Sequence, residues 1–306
     1  MKRIAAIGAC VLDTLIYCPV YPTEDTKNKA DSVIKTGGGP VSNALVAAAK
    51  LGAAAEYLGA IPVGKDGDFL EAELSNYGVE TGHIRRVGNR VFTSYILLSQ
   101  TSGSRTCVFE RGNVPDLKEN IDFTALRKAD ILHLDGNYLN GALAAAKFAK
   151  SNGITVSLDA GGLYKGIEDL VPYCDVLIPS EEWAIGFTGE RTAEDAMIRL
   201  YKAYSPKVLV ITQGARGGVY FDGKKPTRFS AFNVNCKDSN GAGDVFHGAF
   251  LAYHSDGLAV SECCKRASAV AAMKCMSVRC RSATRRCSPT RMRRLWTASG
   301  VTIWFP

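Results

Sequence analysis

The chain has 306 residues, 46% hydrophobic and 22% charged, as in ordinary soluble globular proteins. No apolar run reaches the roughly 18 residues of a membrane span, so we expect no transmembrane segment and one main domain. The net charge of +7 does not indicate nucleic-acid binding, because residues 277–306 hold seven arginines and no acidic residue; without these seven, 30 basic residues balance 30 acidic ones.

Two further features indicate a cytoplasmic location. The first ten residues turn at once into a strand-like run, without the apolar core and cleavage site of a signal peptide. The ten cysteines include no Cys-x-x-Cys pair, so neither a disulfide framework nor a zinc site is supported. We expect reduced thiols.

Short runs rich in Val, Ile and Leu alternate along the chain with segments of helical period. This pattern predicts a doubly wound, three-layer α/β/α sandwich with a mostly parallel sheet. The predicted strands are residues 4–7, 57–61, 131–134, 155–158, 176–178 and 208–211. The predicted helices are residues 41–51, 69–77, 142–151 and 193–204, with two more after residue 243.

Residues 26–36 and 84–109 interrupt this alternation with strand-like polar patterns and little helix. We expect a small antiparallel sheet that forms a lid over the active site, drawn from residues 26–36 and 84–113. The main domain then spans residues 1–276.

The most informative motif is Asp-Ser-Asn-Gly-Ala-Gly-Asp at residues 238–244, followed by a segment of helical period. The first amides of a helix attract an anion, and small residues let a ligand approach the backbone. Asp244 in that first turn could accept a proton from a hydroxyl that attacks a phosphorus atom, while the amides of Gly241, Ala242 and Gly243 stabilise the phosphoryl group. The alternative is a helix cap after a tight turn.

A second glycine-rich motif, Gly-Gly-Gly-Pro-Val-Ser-Asn at residues 37–43, runs into an Ala-rich helix. Together the two motifs resemble the signatures of the PfkB family of carbohydrate kinases. The resemblance implies a ribokinase-like fold, Asp244 as catalytic base, and sugar hydroxyls bound by Asp13, Gly38, Gly39 and Asn43. A turn with an ordinary cap remains the alternative for the second motif, and a turn former for Asp13.

The resemblance also implies a nucleotide site. It assigns Thr212, Gly214 and Gly217 to the nucleotide, together with Ser180, which stands where the family often has asparagine. Glu181 and Glu182 are candidates to act on magnesium through water, because the acid of the family's Asn-x-x-Glu is displaced here; a solvated helix start is the alternative.

Three other residues have open assignments. Arg111 and Asn113, at the end of a predicted lid strand, are candidates to contact an anionic or polyhydroxyl substrate, although surface ion pairs are common for such an arginine. His247 lies one helical turn after Asp244 and is either packed, on the substrate side, or a second base.

The resemblance stops after Cys275, where we expect a basic C-terminal segment at residues 277–306 that is frameshifted or otherwise replaced; a genuine interaction tail is the rival hypothesis. A family-like loop over adenine and a monovalent-cation site would normally lie there.

The resemblance thus predicts ATP-dependent phosphorylation of a sugar hydroxyl, with Mg²⁺ and a monovalent cation as candidate cofactors and a homodimer through the lid. The motifs are similar to the sulfofructose kinase and fructokinase-like branches. A nucleoside kinase and a catalytically impaired binding protein remain alternatives, whereas a Rossmann dehydrogenase is disfavoured because no Gly-x-Gly-x-x-Gly turn follows the first strand.

Overall fold

The computed structural model describes residues 2–118, 121–162 and 165–277. Within these residues the strands, numbered in chain order, are β1 (Arg3–Ile7), β2 (Val11–Cys18), β3 (Ser32–Gly38), β4 (Ala54–Tyr57), β5 (Ala60–Ile61), β6 (Val79–Glu80), β7 (Arg85–Arg86), β8 (Thr93–Ser99), β9 (Arg105–Glu110), β10 (Ile131–Leu134), β11 (Thr155–Ala160), β12 (Val176–Pro179), β13 (Val208–Thr212), β14 (Gly218–Phe221) and β15 (Pro226–Phe229). The helices are α1 (Pro40–Lys50), α2 (Lys65–Asn76), α3 (Phe123–Leu126), α4 (Leu139–Ser151), α5 (Glu181–Thr188), α6 (Ala193–Tyr204), α7 (Ala242–Ser255) and α8 (Val260–Cys275).

The main sheet has the strand order β15-β14-β13-β12-β11-β10-β1-β4-β6. The seven strands from β13 to β6 run parallel, and β14 and β15 add an antiparallel edge. All six predicted strands are present, although the predicted strand 57–61 splits into β4 and β5. The split occurs because β5 leaves the main sheet and pairs with β7.

Alternate side chains of the central strands enter two apolar layers, which confirms the three-layer sandwich. Ala5 and Ile7 of β1 pack with α4, α5 and α6, while Ile4 and Ala6 pack with α1, α2, α7 and α8. Each fully buried aliphatic side chain in such a layer stabilises the fold by about 1.5–3 kcal/mol. Within the described residues, no helix combines the length and the apolarity that crossing a membrane requires.

The small second sheet has the order β3-β2-β8-β9 and differs from the predicted lid in two respects. First, the sheet includes β2, which was not among the predicted strands. Second, β2 and β8 run parallel, so the sheet is mixed and not antiparallel as predicted. The chain leaves this sheet after β3, passes through the sandwich and returns beside β2. Residues 26–31 precede β3 and are not strand.

The inner face of this lid sheet follows from its register. Asp13 pairs with Ser94, and Ser94 pairs with Phe109, so these residues share one face. Because side chains alternate along a strand, Arg105 lies on the same face as Phe109. The hairpin after β8 also meets the segment that precedes α7, since Ser239 Oγ donates to the Gly103 carbonyl at 3.4 Å.

Candidate active site

The carboxyl ends of the parallel strands gather polar residues at one edge of the main sheet. Asp135 follows β10, Asp159 lies near the end of β11, Ser180 follows β12, and Thr212 ends β13. In open α/β sheets this edge is where ligands bind. Helix α7 begins over the same edge, because His247 in its second turn lies 3.3 Å from Asp159 (Nε2 to Oδ1).

The two glycine-rich motifs meet at a single hydrogen bond. Asn43 Nδ2, in the first turn of α1, donates to Asp244 Oδ2 at 2.8 Å across 201 residues of sequence. The helices α1 and α7 pack closely because Gly248 has no side chain: a Cβ there would lie 2.0 Å from the Ala44 carbonyl oxygen. The predicted sugar-binding asparagine and the predicted base therefore belong to one helix pair.

The environment of Asp244 favours a base that titrates above an ordinary aspartate. Burial raises its pKa, and the Asn43 hydrogen bond and the charges of Arg105 and Lys274 oppose part of that increase. A general base works best when its pKa approaches the operating pH. Arg105, on the inner face of the lid, was not among the residues predicted from the sequence.

The segment before Asp244 is shaped for an anion. Gly241 has φ +74° and precedes the first turn of α7, whose amides have no partners within the helix. Two hydrogen bonds hold this segment to the end of α8: the backbone amides of Lys237 and Asp238 donate to the Cys275 carbonyl at 2.8 and 3.2 Å. Ala242 and Gly243 lie in that first turn as predicted, and an anion there would meet the positive end of a 14-residue helix.

The predicted sugar-binding residues Asp13, Gly38 and Gly39 lie side by side. Asp13 is buried, accepts a hydrogen bond from Ser94 Oγ, and fills the space beside Gly38, where a Cβ would lie 1.9 Å from Asp13 Oδ2. Gly39 has φ +99° and lies against the Ala9 carbonyl, so a side chain is excluded there too. Both glycines are required by the close approach of β3 to its neighbours.

The predicted nucleotide residues lie together at the ends of β12 and β13. Ser180 and Thr212 form a parallel bridge, and a turn stabilised by Gln213 N donating to the Gly217 carbonyl at 2.8 Å follows. Gly214 and Gly217 have φ of +58° and +92°. Ser180 Oγ also accepts from Trp183 N at 3.1 Å and thereby caps α5.

Two predicted site residues make contacts within the protein. Asn113 Oδ1 accepts from the backbone amides of Asn89 and Arg90, at 2.9 and 2.8 Å, so this side chain stabilises a turn beside the lid. Glu181 accepts from Gln213 Nε2 at 2.7 Å and forms an ion pair with Arg216. Their partners lie 23 to 35 residues away in the sequence, so local patterns do not show these contacts.

Two other predicted residues remain accessible to ligands. Glu182 is exposed at the start of α5. Arg111 donates to Asn137 Oδ1 at 3.0 Å and lies over the rings of Phe92 and Phe109. In the part of the chain that the structure describes, no three His, Cys, Asp or Glu side chains converge as a metal site would require.

The sequence analysis missed two buried carboxyl groups near Asp244. Burial raises the pKa of Asp135, and burial with the nearby charges of Asp244 and Asp135 raises that of Asp159 well above its ordinary value. Burial also lowers the pKa of His247, so Asp159 and His247 both tend toward their neutral forms. Each aspartate follows an apolar strand and precedes glycine within two residues, a signal that could have identified them.

Comparison with known proteins decides the family. The model of the pfkB family carbohydrate kinases matches residues 1–290. The chain belongs to this family. The ribokinase of Bacillus subtilis (strain 168) is 26% identical over 288 residues, covering 90% of this chain and 94% of that protein.

Solved structures agree with the family's fold. The Thermotoga maritima ribokinase is 25% identical, with a TM-score of 0.80 over 92% of this chain and 96% of its own. The Arabidopsis thaliana ribokinase, solved with ribose and ATP, is 22% identical, with a TM-score of 0.77 over 92% and 95%. The predicted ribokinase-like fold is therefore confirmed.

The PfkB family model matches the chain beyond Cys275, the residue after which the resemblance of the motifs stops. Residues 278–306 lie outside the described residues, so the frameshift hypothesis stays a prediction. The described part of the chain includes Cys275, whose carbonyl accepts hydrogen bonds from the segment before α7.

Proposed function

We propose that this PfkB kinase transfers the γ-phosphoryl group of ATP to a hydroxyl of a sugar or sugar derivative. One observation carries the proposal: Asp244 lies in the first turn of α7 and receives a hydrogen bond from Asn43 of the second glycine-rich motif. The acceptor and the phosphoryl group would therefore meet at one carboxylate.

The residues divide the reaction between them. Asp244 takes the proton of the attacking hydroxyl. The amides of Gly241, Ala242 and Gly243 stabilise the charge of the phosphoryl group during transfer. Asp13, Gly38, Gly39 and Asn43 orient the acceptor. The turn from Thr212 to Gly217, with Ser180 beside it, receives the nucleotide. This turn follows β13, which lies three strands from β10, or about 14 Å across the sheet.

Magnesium would arrive with ATP and screen its phosphates. Glu182 is the carboxylate of the predicted pair that is left to act on it through water, because Glu181 is engaged with Arg216. A monovalent cation is a further candidate activator, and titration of KCl against NaCl at constant ionic strength tests it. We expect activity to require Mg²⁺ and to be lost with EDTA.

We further propose that the outer face of the lid forms a homodimer contact and that the protein acts in the cytoplasm, with neither nucleic acid nor membrane as a partner. Val33, Tyr95 and Val108 on that face are 51–63% exposed. Sedimentation of wild-type protein and Tyr95→Glu tests the dimer, because a buried carboxylate would oppose association.

The deciding experiment is magnesium-dependent ADP release across sugars, sugar acids, sugar phosphates, sulfosugars and nucleosides. Asp244→Asn is the test variant, and Asp256→Asn, an exposed residue that follows the same helix, is the control. Turnover that falls about 10²–10⁴-fold only in Asp244→Asn supports the proposal. Turnover confined to nucleosides would replace the acceptor class, and sugar binding without ADP release would identify a binding protein.

A further inference from the structure

A cavity of about 530 Å³ lies beside the proposed sugar site and is not explained by phosphoryl transfer itself. Its walls come from four segments of the chain. Phe92 and Arg111 flank the lid strands β8 and β9, and Tyr138 stands at the start of α4. Lys165 also lines the cavity.

Hydrogen bonds connect this cavity to the edge of the active site. Arg111 donates to Asn137 Oδ1 at 3.0 Å, and Asn137 N donates to Asp135 Oδ1 at 2.9 Å. Asp135 Oδ2 in turn accepts from Ala9 N at 2.9 Å, four residues before Asp13. The cavity is therefore on the acceptor side, at β1 and β10, and away from the nucleotide residues at β12 and β13.

The charge of the cavity lining is positive. Arg111 and Lys165 contribute two cations, and Asp116 contributes a carboxylate. That carboxylate accepts from the amides of Asn140 and Gly141 at 2.9 Å each and caps the start of α4. The positive end of the helix compensates its charge, which leaves a cationic surface toward the cavity.

Tyr138 adds a neutral donor to this surface. Its φ of +54° is unusual for a residue with a large side chain, a kind of backbone strain that clusters at ligand sites. Burial raises the pKa of its hydroxyl, so the group stays protonated and can donate a hydrogen bond at neutral pH. Phe92 adds an apolar ring to the lining.

We propose that this cavity binds an anionic group at the far end of the acceptor, so that the substrate is an acidic sugar derivative. Arginine and lysine together with a tyrosine hydroxyl suit a carboxylate, a phosphate or a sulfonate, and planar arginine favours paired acceptor oxygens. The inference rests on the proposed kinase function, because it assumes a sugar whose reacting hydroxyl faces Asp244.

The test compares matched acceptors that differ in the terminal group: fructose, fructose 6-phosphate, 6-deoxy-6-sulfofructose, and a six-carbon sugar acid. Steady-state ADP release gives kcat and KM for each. We expect one anionic member to exceed fructose in kcat/KM by at least about 10-fold, the size of one charge-assisted hydrogen bond. The member that does so distinguishes a phosphate, a sulfonate and a carboxylate.

Arg111→Gln and Lys165→Gln remove each cation with little change in size, and Lys128→Gln changes an exposed lysine away from the cavity. We expect KM for the anionic acceptor to rise about 10- to 100-fold in the first two variants, more than the KM for fructose rises, with kcat less affected. The Lys128→Gln enzyme should match wild type. Thermal melting checks that all three variants fold.

The outcomes separate this inference from the kinase function. Turnover of neutral sugars alone, dependent on Asp244 and indifferent to both cavity variants, would overturn the anionic subsite and leave the kinase standing. If nothing in the panel is phosphorylated, the kinase proposal fails, and calorimetry with the same acceptors decides the subsite. Anion-selective binding that both variants lose would support it, and equal affinity for charged and neutral sugars would refute it.

Discussion

The ammonium of Lys274, in the last turn of α8, is completely buried and donates to the Asp238 backbone carbonyl at 2.6 Å. The same Nζ lies 3.0 Å from Asp238 Oδ2. Among the described residues no group donates a hydrogen bond of good geometry to that oxygen, so the second contact is electrostatic. A fully buried cation thus supports the segment that leads to the anion-binding amides.

Lys274→Met should therefore destabilise the protein, because it leaves the Asp238 carboxylate buried without its counter-charge. Breaking a buried pair in this way costs about 3–5 kcal/mol. Urea denaturation of wild type, Lys274→Met and the exposed-site control Lys128→Met measures the effect. A loss no larger than that of the control would show that the Lys274–Asp238 pair contributes little.

Asn43→Ala should move the pH dependence of catalysis. The Asn43 amide favours the ionised form of Asp244, so its removal raises the pKa of that carboxyl further. Asp244 acts as a base only when ionised; the acid limb of kcat/KM therefore shifts to higher pH, and the rate at neutral pH falls about 10-fold or more. If the acid limb of the kcat/KM profile does not move, the pKa of Asp244 does not determine its position.

Arg105→Gln should produce a shift in the same direction. The Arg105 charge lowers the pKa of Asp244 from the inner face of the lid, so a neutral side chain raises it. Arg105 is exposed; added salt should therefore screen it and reduce the difference between wild type and variant. Arg90→Gln, which removes an exposed lid-side arginine paired with Glu110 at 3.9 Å, is the control and should show neither effect.

Gly248→Ala should separate the two helices that hold Asn43 and Asp244. The added Cβ would meet the Ala44 carbonyl at 2.0 Å, and such overpacking costs about 1–3 kcal/mol. Gly82→Ala, where a Cβ meets nothing within 4 Å, is the matched control. We expect only the Gly248 variant to lose both stability and kcat, and equal behaviour of the two would contradict the close contact.

Local patterns predicted the central strands and the two helices that begin at glycine-rich motifs, because those patterns depend on neighbouring residues. Local patterns could not show that β2 belongs to the lid sheet, because its partner β8 lies about 80 residues away in the sequence. That pairing is stabilised by the packing of four side chains, Leu15, Tyr17, Ile96 and Leu98. The inward direction of Arg105 depends on that same register. For Asn113, the decisive contact with Asn89 spans 24 residues.

The close contact of Gly248 with Ala44 means that two packed helices, α1 and α7, together set the geometry of the proposed chemistry. The lid strands and the cavity wall formed by Arg111 and Tyr138 belong to other parts of the chain. Substitutions in those outer parts can exchange one acceptor for another while the transfer step is conserved. The same scaffold can thus diversify by retaining its helix pair and varying what surrounds it.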